Sequence, residues 1–211
     1  MPTVLLGAYA LAGVAHVVTA MRPWDVAARI TKAALMPVLA VWYVVAADPV
    51  LLLVLAALAL AWVGDIVLIR EDDTRFFQVG MAAFLLSHAC YIVAFVSLTH
   101  GVHVAAIVIS VLVALAAEVL ILRLVNPPKA MRGAIMVYGV ALLTMSACAL
   151  QYALVGSWPR AALPFAGSLL FVLSDTLLGH YTFGTRPRAF EAFVMVPYIL
   201  AQGLIVYGLA G

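Results

Sequence analysis

Charge is what this sequence has least of. Only 9% of its 211 residues are Asp, Glu, Lys or Arg, where a soluble domain carries roughly 25%. Hydrophobic residues make up 67%, and a soluble chain that apolar exposes patches that aggregate. An ordinary water-soluble domain is therefore excluded, and an integral membrane protein is implied. The net charge is +2, with no Lys/Arg-rich block, which excludes an electrostatic nucleic-acid partner. Cysteine is nearly absent. Cys90 and Cys148 both lie in apolar runs, which favours buried thiols over a disulfide framework. Low-complexity tails and long polar linkers are also missing, so residues 1–211 read as a single membrane domain. The opening stretch MPTVLLGAYALAGVAHVVTA has no basic residue before its apolar core. A cleaved signal peptide normally has one, so this segment is expected to stay as a first span.

A spanning helix needs about 20 apolar residues. Eight candidates are present: 3–20, 33–48, 50–69, 76–99, 104–124, 133–155, 163–183 and 190–210. Asp48-Pro49 marks the turn after the second, because proline disfavours helix in the residue before it. The expected fold is an all-α polytopic bundle of eight transmembrane helices. Basic residues set its direction. Arg22, Arg29, Lys32, Arg70, Arg75, Arg123, Lys129, Arg132, Arg186 and Arg188 fall at one set of loops, and only Arg160 falls at the other. Both termini are accordingly expected outside, with odd helices running inward.

Four inward-running helices carry ionisable residues. Asp65, Glu118 and Asp175 each precede a basic or histidine residue by five positions (Arg70, Arg123 and His180), and His16 precedes Arg22 by six. At 1.5 Å per residue this places them in one layer, about 7–9 Å above the cytoplasmic edge. A charge at mid-membrane costs roughly 2.5–3.5 kcal/mol on insertion scales. A glutamate one turn from the surface can snorkel, but the shorter aspartates do so poorly. Asp65 and Asp175 are therefore the candidates for a shared polar site, with Ser174 as a close-packing or hydrogen-bonding neighbour. His180 marks the membrane interface. His88 lies deeper, roughly 18 Å from that edge, with Tyr91 on the same helix face. Tyr138, Tyr198 and Gln202 are candidates to line the same cavity.

A weak internal repeat accompanies the layer. Gly64-Asp65-Ile66-Val67-Leu68 and Ser174-Asp175-Thr176-Leu177-Leu178 share a small-Asp-x-x-Leu pattern 110 residues apart. His88 lies 12 residues after Phe76, and Gln202 lies 12 after Phe190. Two four-helix halves related as parallel repeats would place the two aspartates at equivalent positions.

Several motifs together carry a resemblance. Lys32 opening a helix with Pro37 inside it comes first, followed by Trp62-Val63-Gly64-Asp65. The run Phe77-Gln78-Val79-Gly80 continues to Ser87-His88-Ala89-Cys90-Tyr91. Gly167-Ser168-Leu169-Leu170-Phe171-Val172-Leu173-Ser174-Asp175 and Pro197-Tyr198-Ile199-Leu200-Ala201-Gln202 complete the set. In this order and spacing they resemble the YhhN/TMEM86 family of multi-pass membrane proteins, over nearly the whole chain. That family often has proline directly after the lysine, where Ala33 stands here. The resemblance implies a lysoplasmalogenase-like hydrolase, which cleaves the vinyl ether bond of a lysoplasmalogen. The products are a fatty aldehyde and a glycerophospho-choline or -ethanolamine.

The residues suit that chemistry. Protonation of the alkene carbon gives an oxocarbenium ion, water adds, and the hemiacetal collapses. One protonated carboxyl and one carboxylate meet the demand. A carboxylate pair does equivalent work in glycoside hydrolysis. Asp65 and Asp175 are the expected catalytic pair, and no metal or organic cofactor is required. Lys32, His88, Tyr91, Glu118, Tyr138, Ser174, Tyr198 and Gln202 are the expected substrate-binding set for a lysophospholipid drawn from the bilayer of the cell membrane. Three rivals stand beside this reading. An intramembrane aspartyl protease needs Gly-x-Gly-Asp, and Trp62 occupies the position of its first glycine. A metal-dependent lipid hydrolase needs ligand spacing such as His-x-x-x-His, which does not occur. A proton-coupled transporter or lipid-binding protein also displays membrane acids with repeats.

Overall fold

The computed structural model describes residues 1–21, 25–70, 74–187 and 189–211, apart from the side chains of Asp25 and Arg70. Arg22 and Arg188 of the basic loop set lie outside the described residues, as does the Arg70 side chain. Among the described residues eight α-helices form and no strand: α1 (Pro2–Ala20), α2 (Asp25–Ala46), α3 (Leu52–Val67), α4 (Thr74–Leu98), α5 (Val104–Val125), α6 (Arg132–Val155), α7 (Ala162–Phe183) and α8 (Phe190–Leu209). Seven are long and apolar enough to cross a membrane. α3 is shorter, and its 16 residues rise about 24 Å against a hydrocarbon core of about 30 Å. A 3₁₀ turn over Leu68–Arg70 continues it and adds about 6 Å, so this segment also reaches across. The chain is a polytopic helical membrane protein.

α2 departs from expectation, because it begins at Asp25 rather than at residue 33. Hydropathy marks where the membrane starts, whereas a helix can run on into the interface. Lys32 therefore lies two turns inside α2 and does not open it. Pro37 is accommodated within the same helix.

The helices α2, α3, α4, α6, α7 and α8 pack in that order around the bundle, and α8 returns against α2. α1 lies against α2 and α8. α5 rests outside on α6 and α7, with only Glu118 and Val125 buried along its length. Its remaining face of Val, Leu and Ile looks outward, as a lipid-facing helix should. α8 is the most enclosed helix, with twelve residues buried from Ala192 to Leu209.

No hydrophobic effect drives apolar helices together inside lipid, so close approach depends on small residues and interhelical hydrogen bonds. A Cβ added at Gly167 would stand 2.7 Å from the Ala201 carbonyl oxygen of α8, and one at Gly64 would stand 2.6 Å from the Phe84 ring of α4. Hydroxyls join the same two hairpins: Ser87 donates to the Ala57 carbonyl at 2.8 Å, and Ser174 donates to the Val194 carbonyl at 2.9 Å.

These crossings follow the internal repeat. Ala57–Ser87 in the first hairpin corresponds to Gly167–Ala201 in the second, and Gly64–Gly80 corresponds to Ser174–Val194. The halves part company at their first helices, since α1 packs on α2 and α8 but α5 packs on α6 and α7.

Two outcomes test this architecture. Gly167→Leu forces α7 off α8 and should cost about 1–3 kcal/mol of stability, read as a lower unfolding midpoint in detergent. Gly7→Leu, with open space around it, should leave that midpoint unchanged. If the basic residues orient the bundle, a cysteine at Ser157 reacts with impermeant maleimide on intact cells, in a background lacking Cys90 and Cys148. A cysteine at Lys129 then reacts only after lysis, and the opposite pattern reverses the direction.

Candidate functional site

Both aspartates sit near the centre of the bundle, and each accepts a hydrogen bond from a tyrosine of another helix. Asp65 of α3 is buried and receives the Tyr198 hydroxyl of α8 at 2.8 Å. Asp175 of α7 receives the Tyr138 hydroxyl of α6. A chain of rings links the two stations. Tyr198 meets Phe171 edge-on at 5.5 Å between centroids. Phe171 meets His88 at 4.8 Å, and His88 meets Tyr138 at 5.4 Å. Phe171 precedes Asp175 by one turn of α7, so the ring and the carboxyl share a helix face.

The stations are not equivalent. Position 84 on α4 corresponds in the repeat to Tyr198 on α8, and a phenylalanine stands there. Phe84 packs against Phe171 and Tyr198 but has no hydroxyl to give, so Asp175 draws its donor from Tyr138 instead. Phe84, Tyr138 and Asp175 border a cavity of about 60 Å³ whose other walls are mainly apolar, among them Phe77, Met81, Ile121 and Phe183. Asp65 does not border it.

A second cavity, of about 230 Å³, lies toward the basic loops. Arg29, Lys32, Arg186 and Glu191 border it. Leu68 and Leu178 border both cavities, so the charged chamber and the apolar one meet at those two side chains. The Lys32 ammonium lies 3.3 Å from the Glu191 carboxylate. The buried His16 ring lies 3.8 Å from the same oxygen and 3.1 Å from the Thr31 hydroxyl.

The four ionisable groups expected in one layer thus have different partners. Asp65 and Asp175 belong to the central rings, and His16 belongs to the Lys32–Glu191 cluster. Glu118 is buried against Gly139, where a Cβ would stand 2.2 Å from its carboxylate. It does not border the Asp175 cavity, although Ile121 on the next turn of α5 does. Tyr91 and Gln202 pair with each other at 2.8 Å. Ser174 bonds the α8 backbone and does not border either cavity. His180 bonds the Leu124 carbonyl at 2.8 Å, near the basic-loop end.

Sequence reasoning passed over Glu191, Phe171 and Thr31. A glutamate in the first turn of a helix is ordinarily a dipole-complementing residue, so Glu191 gave no signal apart from following a basic loop. Phe171 was one apolar residue among many. Among the described residues no three His, Cys, Asp or Glu side chains converge as a metal site.

The model of the YhhN family matches residues 27–209. The matched stretch contains both aspartates, their tyrosines, His88 and the charged chamber, and it begins after His16. No curated protein and no solved structure matches the chain. With most of its length covered by that model, the chain belongs to the YhhN family.

Proposed function

We propose that this protein is a lysoplasmalogenase-like hydrolase of the cell membrane, with Asp65 and Asp175 as its acid–base pair. The observation that carries the reading is the meeting of two unlike chambers at Leu68 and Leu178. One is charged and faces the basic loops, and the other is apolar and holds a carboxyl group. A lysophospholipid likewise joins a charged part to an apolar one. Its phosphate would lie with Arg29, Lys32 and Arg186. Its vinyl ether, just below the glycerol, would come to Asp175. Its chain would continue past Phe84 and Leu142, the walls of that chamber farthest from the basic loops.

In the reaction a carboxylic acid gives its proton to the alkene carbon one removed from oxygen. The carbon bonded to oxygen becomes the oxocarbenium centre, and the second carboxylate offsets its charge. Water bonds to that carbon and loses a proton to the carboxylate that gave up the first. The hemiacetal then breaks its bond to the glycerol oxygen, which takes up the remaining hydroxyl proton. Fatty aldehyde and glycerophospho-alcohol leave, with one water consumed. Tyr138 and Tyr198 orient the carboxyls by donating to them.

Aldehyde release from a panel of lysolipids by purified protein in detergent tests this reading. Asp65→Asn and Asp175→Asn should each lower release by a factor of about 100 or more while the protein stays folded. Wild-type turnover in either variant would sink the two-carboxylate mechanism. Tyr138→Phe should retain part of the activity. Detergent sustains no gradient, so a carrier would give no aldehyde there and would move unchanged lipid across sealed vesicles.

A further inference from the structure

We propose that His88 and Gln202 hold, at the centre of the bundle, the water molecule that hydrolysis consumes. The step rests on the hydrolase reading above, and it starts from three polar atoms. His88 is fully buried, and neither ring nitrogen has a hydrogen-bond partner among the described residues. The Phe84 carbonyl, one turn back on α4, approaches the ring without making a hydrogen bond. Gln202 is equally buried. Its Oε1 accepts the Tyr91 hydroxyl, while Nε2 approaches the Tyr198 hydroxyl and has no partner among the described residues.

These atoms share one region. Tyr91, which bonds Gln202, follows His88 by three residues on the same face of α4, and Tyr198, which Gln202 approaches, meets Phe171, whose ring meets His88. A neutral imidazole offers one donor and one acceptor, and the amide nitrogen offers two donors. Burying such groups unmatched is costly, and a bound water with two to four polar partners is the common remedy. The His88 ring also touches Tyr138, which borders the Asp175 cavity. A water held here stands between the stations, with Tyr198 and Asp65 on one side and Tyr138 and Asp175 on the other.

The position supplies the second reactant of hydrolysis within the interior of the bundle. After the alkene carbon is protonated, the water oxygen forms its bond to the oxocarbenium carbon. One water proton passes through the acceptor nitrogen of His88 to the carboxylate that gave up the first, which restores the starting state.

Two measurements test the proposal. Radiolytic hydroxyl-radical footprinting of the purified wild-type protein in detergent marks side chains that touch ordered water. Tyr91, Tyr138 or Phe171 should be marked despite their burial, and His88→Leu should reduce that mark to background. In the aldehyde assay His88→Leu should lower kcat about 100-fold with KM for lysoplasmalogen unchanged. His88→Gln, which keeps a donor and an acceptor, should restore part of kcat. Unmarked rings in the wild type, or wild-type kcat in His88→Leu, would overturn the proposal. Marked rings in a wild-type protein that releases no aldehyde from any lysolipid would overturn the hydrolase reading and leave the water site standing.

Discussion

A carboxyl group inside a hydrocarbon core needs hydrogen-bond donors from the protein, because lipid tails offer none. This bundle answers with two tyrosine hydroxyls, from Tyr198 to Asp65 and from Tyr138 to Asp175. Each bond ties one helix to another across the interior. The central rings fill the space between the bonds, so the position of His88 and Phe171 depends on where the two phenols anchor. Small residues at Gly64 and Gly167 let α3 approach α4 and α7 approach α8 closely enough for this to happen. Remove the demand of the carboxyls and the helices could pack in many registers. With it, the register has to satisfy both aspartates at once.

Much of the fold was legible because the membrane imposes a strong rule on composition. Apolar runs of the right length joined by short loops, every second one basic, can hardly be anything but spanning helices, and all eight runs proved helical. The start of α2 was misplaced for the same reason, since hydropathy reports the solvent around a helix and not its hydrogen bonding. The two aspartates stood out because charge is so rare here. Their tyrosine partners were named as cavity residues, but which phenol serves which carboxyl is a question of helix order around the bundle. Sequence spacing does not fix that order. Glu118 shares the spacing of the aspartates, in its case to Arg123, yet its carboxylate turns against Gly139, because depth along the membrane says nothing about the direction a side chain takes around its helix. Glu191 was invisible because its partners, Lys32 and His16, are 159 and 175 residues away in the chain.

The two chambers give the molecule an order of parts along the membrane normal. Toward the basic loops paired charges in one chamber stand beside apolar walls such as Phe77 and Phe183 in the other, and Asp175 with its phenol lies deeper in the apolar one. Leu68, at the start of the 3₁₀ turn that extends α3, is one of the two side chains where the chambers meet. The device that lengthens a short helix thus also forms part of the boundary between polar and apolar space. It also contacts the other hairpin partner, since a Cβ at Gly80 would stand 2.7 Å from the Leu68 side chain.

Phe84 has the largest effect for the smallest chemical difference. Its ring occupies the place that Tyr198 holds in the matching hairpin, one oxygen atom short. A bundle with tyrosine at both places would offer two interchangeable carboxyl environments, and neither could specialise. The missing oxygen makes the two halves unlike. One aspartate stays enclosed while the other borders open space, so a pair of near-copies becomes a division of labour.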